Sequence, residues 1–132
     1  MKRIRVKTTS RIEMVDVTGE IQKILALEDL NEGICLVYCP HTTAGVIVNE
    51  HADPTVAEDI ASSLSEHFPH RRAWRHLEGN ADAHVKAAMT GSSVSIPITG
   101  GRLALGTWQG IFFCEFDGPR NRELYLQMMS TE

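Results

Sequence analysis

With 132 residues the chain is sized for one domain, residues 1–132, able to bury roughly two-thirds of its unfolded surface around a single core. Its 42% hydrophobic and 23% charged residues exclude sustained disorder, and a net charge of -4 excludes a dedicated nucleic-acid binder while leaving room for a local anion site. No run reaches membrane-span length, and Lys2, Arg3, Arg5 and Lys7 alternate with apolar residues where a signal peptide has its apolar core, so a cytoplasmic protein is expected.

Residues 2 to 8 and 11 to 17 alternate in hydrophobicity around Thr8-Thr9-Ser10, which predicts a first hairpin. Thr18 then reads as the cap of a helix with Ile21, Ile24 and Leu25 at helical spacing, closed by Asn31-Glu32-Gly33. Gly33 to Cys39 is nearly all apolar, the pattern of a strand buried on both faces or lodged in a subunit interface. Pro40 interrupts the ladder, and a strand resumes from about Thr42 to Asn49. Asp53-Pro54 starts a helix reaching about His67 that buries Val56, Ile60 and Leu64, because Asp accepts hydrogen bonds at the cap and Pro suits the first turn.

A His- and Arg-rich loop covers 68 to 78. Asn80 or Asp82 begins a short helix ending at Gly91, and strands follow over 92–99, 102–105, 107–116 and 120–129. The sum is an α+β domain: a mainly antiparallel, β-sandwich-like core with two or three covering helices. Cys35, Cys39 and Cys114 all fall in apolar strands and read as reduced, buried thiols.

Titratable groups gather at both ends of the 42–49 strand. His41 at its entrance is an acid, base or metal ligand, or a histidine bonded locally. At its exit Asn49, Glu50 and Asp53 hold Mg2+ or position a substrate amine, or Asp53 only caps the helix. His41 and Asn49 share parity, but eight residues of straight strand separate them by roughly 26 Å. Either Gly45 bends the strand or a neighbouring subunit completes the site.

His84 lies four residues after Asn80 on one helix face, at a helix start whose free N–H groups suit phosphate; the alternative is that His84 packs and Asn80 caps. Glu115 shares a strand face with Gln109, Ile111 and Phe113, so this carboxylate in an apolar run needs a functional or subunit partner, or an arginine. His67, His70 and His76, or the Cys39–His41 pair, are weaker metal-ligand candidates. Arg71-Arg72-Ala73-Trp74-Arg75 reads as a solvated loop or a phosphate binder. No phosphate-binding loop, dinucleotide fingerprint or nucleophile elbow is present.

His41-Thr42-Thr43-Ala44, Asn49-Glu50-x-x-Asp53-Pro54, Glu78-Gly79-Asn80 leading to His84, Gly101-Arg102, and Gly106-Thr107-Trp108-Gln109-Gly110-Ile111 together resemble the YjbQ-like family over nearly the whole chain. His51 and Ala52 fall where the family pattern is loose. The resemblance implies an α+β fold, a homotrimer, and secondary thiamine-phosphate synthase activity. That reaction couples a pyrimidine diphosphate to a thiazole phosphate with release of pyrophosphate, supported by Mg2+ or, if the histidines are ligands, Zn2+, with no organic cofactor. On this reading His41 and His84 are acid/base groups or metal ligands, and Asn49, Glu50 and Asp53 orient substrate or cation. Trp108 and Gln109 line the pocket, and Asn80, Glu115, Arg120 and Arg122 bind the phosphorylated substrate. The rival expectation is a non-catalytic homotrimer that binds a metabolite or metal.

Overall fold

A computed structural model describes residues 1–132. In chain order the elements are β1 (Lys2–Lys7), β2 (Glu13–Asp16), α1 (Thr18–Ala26), β3 (Gly33–Tyr38), β4 (Ala44–Glu50), α2 (Pro54–His67), α3 (Ala81–Thr90), β5 (Ser93–Thr99), β6 (Arg102–Leu103), β7 (Gln109–Glu115) and β8 (Asn121–Ser130). Five strands form one sheet in the order β1-β8-β3-β5-β6, and three form a second in the order β2-β7-β4, with every pairing antiparallel. This is the expected mixed α+β architecture.

Side-chain alternation decides what lies between the sheets. Ile4 and Val6 of β1, Cys35 and Val37 of β3, Ile96 and Ile98 of β5, and Leu124 and Leu126 of β8 meet Val46 of β4 and Ile111 and Phe113 of β7 in a core of 16 buried residues. Ile21 and Leu25 bring α1 to the same core. Phe112, Cys114 and Phe116 face the other way and pack with Ala83 and Ala87 of α3 in a second cluster. β7 is thus buried on both faces from Gly110 onward. The three cysteines are free and buried; burial pushes the Cys35 thiol up to about 11 and raises those of Cys39 and Cys114 as well.

The expected first hairpin does not form. β1 pairs with β8, and β2 pairs with β7 in the other sheet. Thr8 continues β1 along β8 through its N–H to the Arg120 carbonyl, and the chain crosses between sheets at a turn whose Thr9 and Ser10 N–H groups bond the Glu13 carboxylate. Thr18 is likewise no cap: Val17 holds that position. The Thr18 hydroxyl instead donates to Asp16 at 2.6 Å and accepts the Ile111 N–H at 2.8 Å, tying α1 to β7. Helix α1 ends at Ala26, before the predicted Asn31-Glu32-Gly33.

Within this chain β3 is buried on one face only. Cys35 and Val37 point inward, while Ile34 and Tyr38 are 37% and 43% exposed. α2 has its predicted cap, Asp53 accepting from the Thr55 N–H, but buries no residue completely. It packs on the outer face of the smaller sheet, against β2 and β4, with Ala57 and Leu64 against the second cluster.

β4 pairs with β7 in unbroken register from Ala44↔Glu115 to Glu50↔Gln109, so Gly45 marks no bend. Its small size serves packing: a Cβ there would overlap the Thr90 hydroxyl and approach the Gly91 carbonyl at 2.8 Å, where the end of α3 meets β4. Gly45→Ala should therefore destabilise the fold by about 1–3 kcal/mol, the usual range for overpacking, read as a lowered midpoint in urea unfolding.

Candidate functional site

The entrance of β4 is held by charges buried between the sheets. Glu115 ends β7 with its side chain directed into the sandwich, fully buried, and Arg122 comes from the facing β8. The guanidinium donates to both Glu115 oxygens, once through Nε at 2.8 Å, and to the Thr43 hydroxyl at 2.8 Å. Thr8 donates to Glu115 at 2.8 Å and the Asp117 N–H at 3.1 Å, so the carboxylate is fully engaged. Burial by itself raises the Glu115 pKa, but these donors and the Arg122 charge outweigh it and hold it below its ordinary value.

His41 lies two residues before Thr43, and its Nε2 lies 3.0 Å from the Glu123 backbone nitrogen and 3.2 Å from the Glu123 carbonyl oxygen. The ring accepts from the first or donates to the second according to its tautomer. Burial and the nearby Arg122 charge lower the His41 pKa, outweighing the Glu123 backbone and the Glu115 and Glu123 charges. His41 is thus an imidazole oriented by the Glu123 backbone and biased toward its neutral form.

β4's neighbour α3 brings the second histidine. His41, Thr42 and Ala44 line one side of an open hollow of about 380 Å3, and His84, Ala87, Ala88 and Gly91 line the other. The His76 ring meets His84 edge-on, with centroids 5.2 Å apart. The fold therefore brings His41 and His84 together across 43 positions of sequence, from 41 to 84. No group of three or more His, Cys, Asp or Glu side chains converges in a metal-holding arrangement, so one chain does not supply a complete ligand set at this hollow.

The other expected site residues distribute differently. Asn80 precedes α3 without capping it through its side chain: its Nδ2 donates to Asp117 at 2.8 Å, and its buried Oδ1 has no partner. Arg120 pairs with the same Asp117 at 3.1 Å, so Asn80, Asp117 and Arg120 form one cluster beside the α3 start. Asn49, Glu50 and Asp53 lie at the opposite end of β4, where Asn49 accepts the Glu50 N–H, Glu50 the Ala52 N–H, and Asp53 the Thr55 groups. Trp108 is 63% exposed in the turn before β7, and the Gln109 side chain accepts the Gly106 N–H. These five do not join the His41–His84 hollow within one chain.

Two constellations escaped the sequence reading. Asp82 and Lys86 are both buried, with Lys86 Nζ at 2.7 Å from Asp82, and Arg11 forks onto the same carboxylate at 2.9 and 3.2 Å. The four-residue spacing was the available signal. The second is His51, whose Nδ1 lies 2.8 Å from Asp16 in a cleft between β2 and α2. No local pattern links two residues 35 positions apart.

Two outcomes test the buried charges. Glu115→Gln leaves Arg122 uncompensated and should destabilise the protein by about 3–5 kcal/mol at neutral pH in chemical denaturation. Because the folded Glu115 and Asp82 pKa values lie below 4.5 and 3.8, their stabilisation is complete above those values and is lost as pH falls through the lower folded ones. His41 acts on a higher window. Its folded pKa lies below 6.5, so the unfolded chain takes up a proton first and stability declines as pH drops from 6.5 to that folded value. An NMR titration of the His41 ring should give a midpoint under 6.5; a midpoint above it contradicts this assignment.

Residues 2–131 match the family model described as UPF0047 protein YjbQ-like. Among curated relatives, UPF0047 protein YugU of Bacillus subtilis is 48% identical over 98% of both chains, and a UPF0047 protein of Methanocaldococcus jannaschii is 47% identical over 97% of this chain and 93% of its own. A crystal structure of an uncharacterised YjbQ/UPF0047 protein from Clostridium acetobutylicum superposes with a TM-score of 0.95 at 43% identity, covering 98% of this chain and 100% of that one. A protein of unknown function from Sulfolobus solfataricus gives 0.94 at 35% identity, over 98% and 95% of the two chains. With a family model spanning all but its end residues and relatives this similar along their full length, the chain belongs to the YjbQ-like UPF0047 family.

Proposed function

We propose that the protein is an enzyme acting on a phosphorylated small molecule, with the hollow between His41 and His84 as its reaction centre. The observation that carries this reading is the convergence of the two imidazoles on one hollow, with His41 oriented by the Glu123 backbone and biased toward its neutral form. Two imidazoles facing one hollow, each able to accept or donate a proton, are what transfer chemistry with a charged leaving group requires.

Thiamine-phosphate synthesis is the reaction to test first. The bond between the pyrimidine's exocyclic methylene and the diphosphate oxygen breaks, its electron pair leaving on pyrophosphate. The thiazole nitrogen's lone pair forms the new carbon–nitrogen bond. In that step the His41 and His84 imidazoles donate to the departing oxygen as its charge develops. A divalent cation, Mg2+ or Zn2+, would bind the phosphates or use donors from a second copy.

The oligomer belongs to the same reading. Straight β4 keeps Asn49, Glu50 and Asp53 away from His41, so their participation requires a neighbouring copy, and a homotrimer leaves Ile34 and Tyr38 available as contact residues. A non-catalytic metabolite-binding homotrimer is the second reading. It is favoured by Arg120 and Arg122, both spent on carboxylates of their own chain and so less free for a substrate phosphate.

Protein purified from a host lacking its own synthase should form thiamine phosphate from the two phosphorylated halves, assayed with and without Mg2+ or Zn2+. His84→Ala and His41→Gln should lower kcat by about 100-fold. No turnover under any metal condition, or an unchanged rate in both variants, removes the enzyme reading; ligand-induced stabilisation without product supports the second. Sedimentation equilibrium should give three times the 14.7 kDa chain mass.

A further inference from the structure

The cleft between β2 and α2 lies on the opposite side of β7 from β4 and is lined by none of the residues that line the His41–His84 hollow. Its volume is about 400 Å3, within the range of small-ligand sites. Phe112, from the helix-facing side of β7, forms the floor together with Met14 of β2. On α2 the lining positions Pro54, Ala57 and Ala61 recur at helical spacing, and their short side chains leave one helix face recessed. A longer side chain at any of them would fill the space that exists.

The polar groups of this cleft are set with some care by the surrounding structure. Asp16 Oδ1 accepts both the Thr18 N–H at 3.0 Å and the Thr18 hydroxyl at 2.6 Å, which leaves Oδ2 for His51 Nδ1 at 2.8 Å. Thr18 is itself fastened to the Ile111 N–H, so the chain of bonds runs from the His51 imidazole back to the central strand. Gly110 gives the imidazole its place, since a Cβ there would overlap the ring. With Nδ1 directed at the carboxylate, neutral His51 carries its lone pair on Nε2.

The charge of the cleft is one-sided. Glu13, Asp16 and Glu58 line it, and neither lysine nor arginine does. Glu58 enters no ion pair, whereas Glu13 and Asp16 spend part of their capacity on local turns. An apolar floor under an acidic rim favours a molecule with a flat apolar body and a positive end.

We infer that this cleft is a second ligand site, which takes an aromatic or heteroaromatic amine with its ring over Phe112 and between the alanines of α2. The ligand's ammonium faces Glu58 and Asp16, and His51 Nε2 accepts one of its N–H bonds. The inference is independent of the reaction proposed for the other hollow, because it uses none of that hollow's side chains.

Benzylamine, cationic at neutral pH, is a suitable probe, with benzoate of similar size as its anionic control. In two-dimensional amide NMR, benzylamine should shift the resonances of residues 12–16, 51 and 57–61 with a Kd in about the millimolar range, as a fragment this small allows. Benzoate should leave them in place. Glu58→Gln, on the exposed side of α2, should weaken binding about threefold, the scale of one exposed ion pair. Ala61→Leu should abolish it by filling the recess while α2 remains folded. The proposal is overturned if benzoate binds as well as benzylamine, if the shifts map elsewhere, or if Ala61→Leu leaves the affinity unchanged.

Discussion

The Glu115–Arg122 pair is the contact on which the arrangement of the site depends. It joins the last residue of β7 to the second residue of β8 across the gap between the two sheets, where both side chains are buried and a lone charge would be costly. Each partner removes the penalty of the other, and Thr8, Thr43 and the Asp117 N–H satisfy their remaining hydrogen-bonding capacity. A buried pair of this kind is weak as a source of net stability but strong as a constraint on register. Sliding β8 by one residue would turn Arg122 out of the sandwich and leave Glu115 alone inside it.

That constraint reaches the chemistry through the short segment 41–43. Arg122 holds Thr43 by hydroxyl and carbonyl, and the next residue, Glu123, presents its backbone N–H and carbonyl to His41 Nε2. The segment is therefore clamped to β8 at two successive positions, and the imidazole's orientation follows from strand register rather than from its own loop. The same guanidinium charge contributes to keeping His41 neutral. One buried arginine thus fixes the place of a functional side chain and influences its protonation. On the far side of the hollow, the Asp82–Lys86–Arg11 cluster anchors α3 from below and so settles where His84 stands.

The smaller sheet divides the molecule's two candidate binding regions. One face of β7 belongs to the common core, and the other carries Phe112, Cys114 and Phe116 beneath α2 and α3. α3 is held closely, with Gly45 allowing its end to approach β4. α2 packs less closely on the same face and buries none of its residues completely, which is why a cleft remains beside it.

Much of this was legible in the sequence because it depends on local periodicity. Alternation along 109–116 assigned Glu115 to the Ile111–Phe113 face and Cys114 to the other, and Asp53-Pro54 and Gly91 marked helix ends where they occur. The motifs around His41, Asn80 and Trp108 were enough to suggest the family. Partnership across the chain was not legible. Strands β1 and β2 look like a hairpin because each alternates and a turn lies between them, yet their mates are β8 and β7. Arg122 as the partner of Glu115, Asp16 as the partner of His51, and His84 as the neighbour of His41 are separated by 7, 35 and 43 positions. Local sequence sets which face of an element a side chain occupies, through the geometry of strands and helices. Only the packing of one element on another decides what that side chain meets, because that choice is made by burial and pairing summed over the whole core.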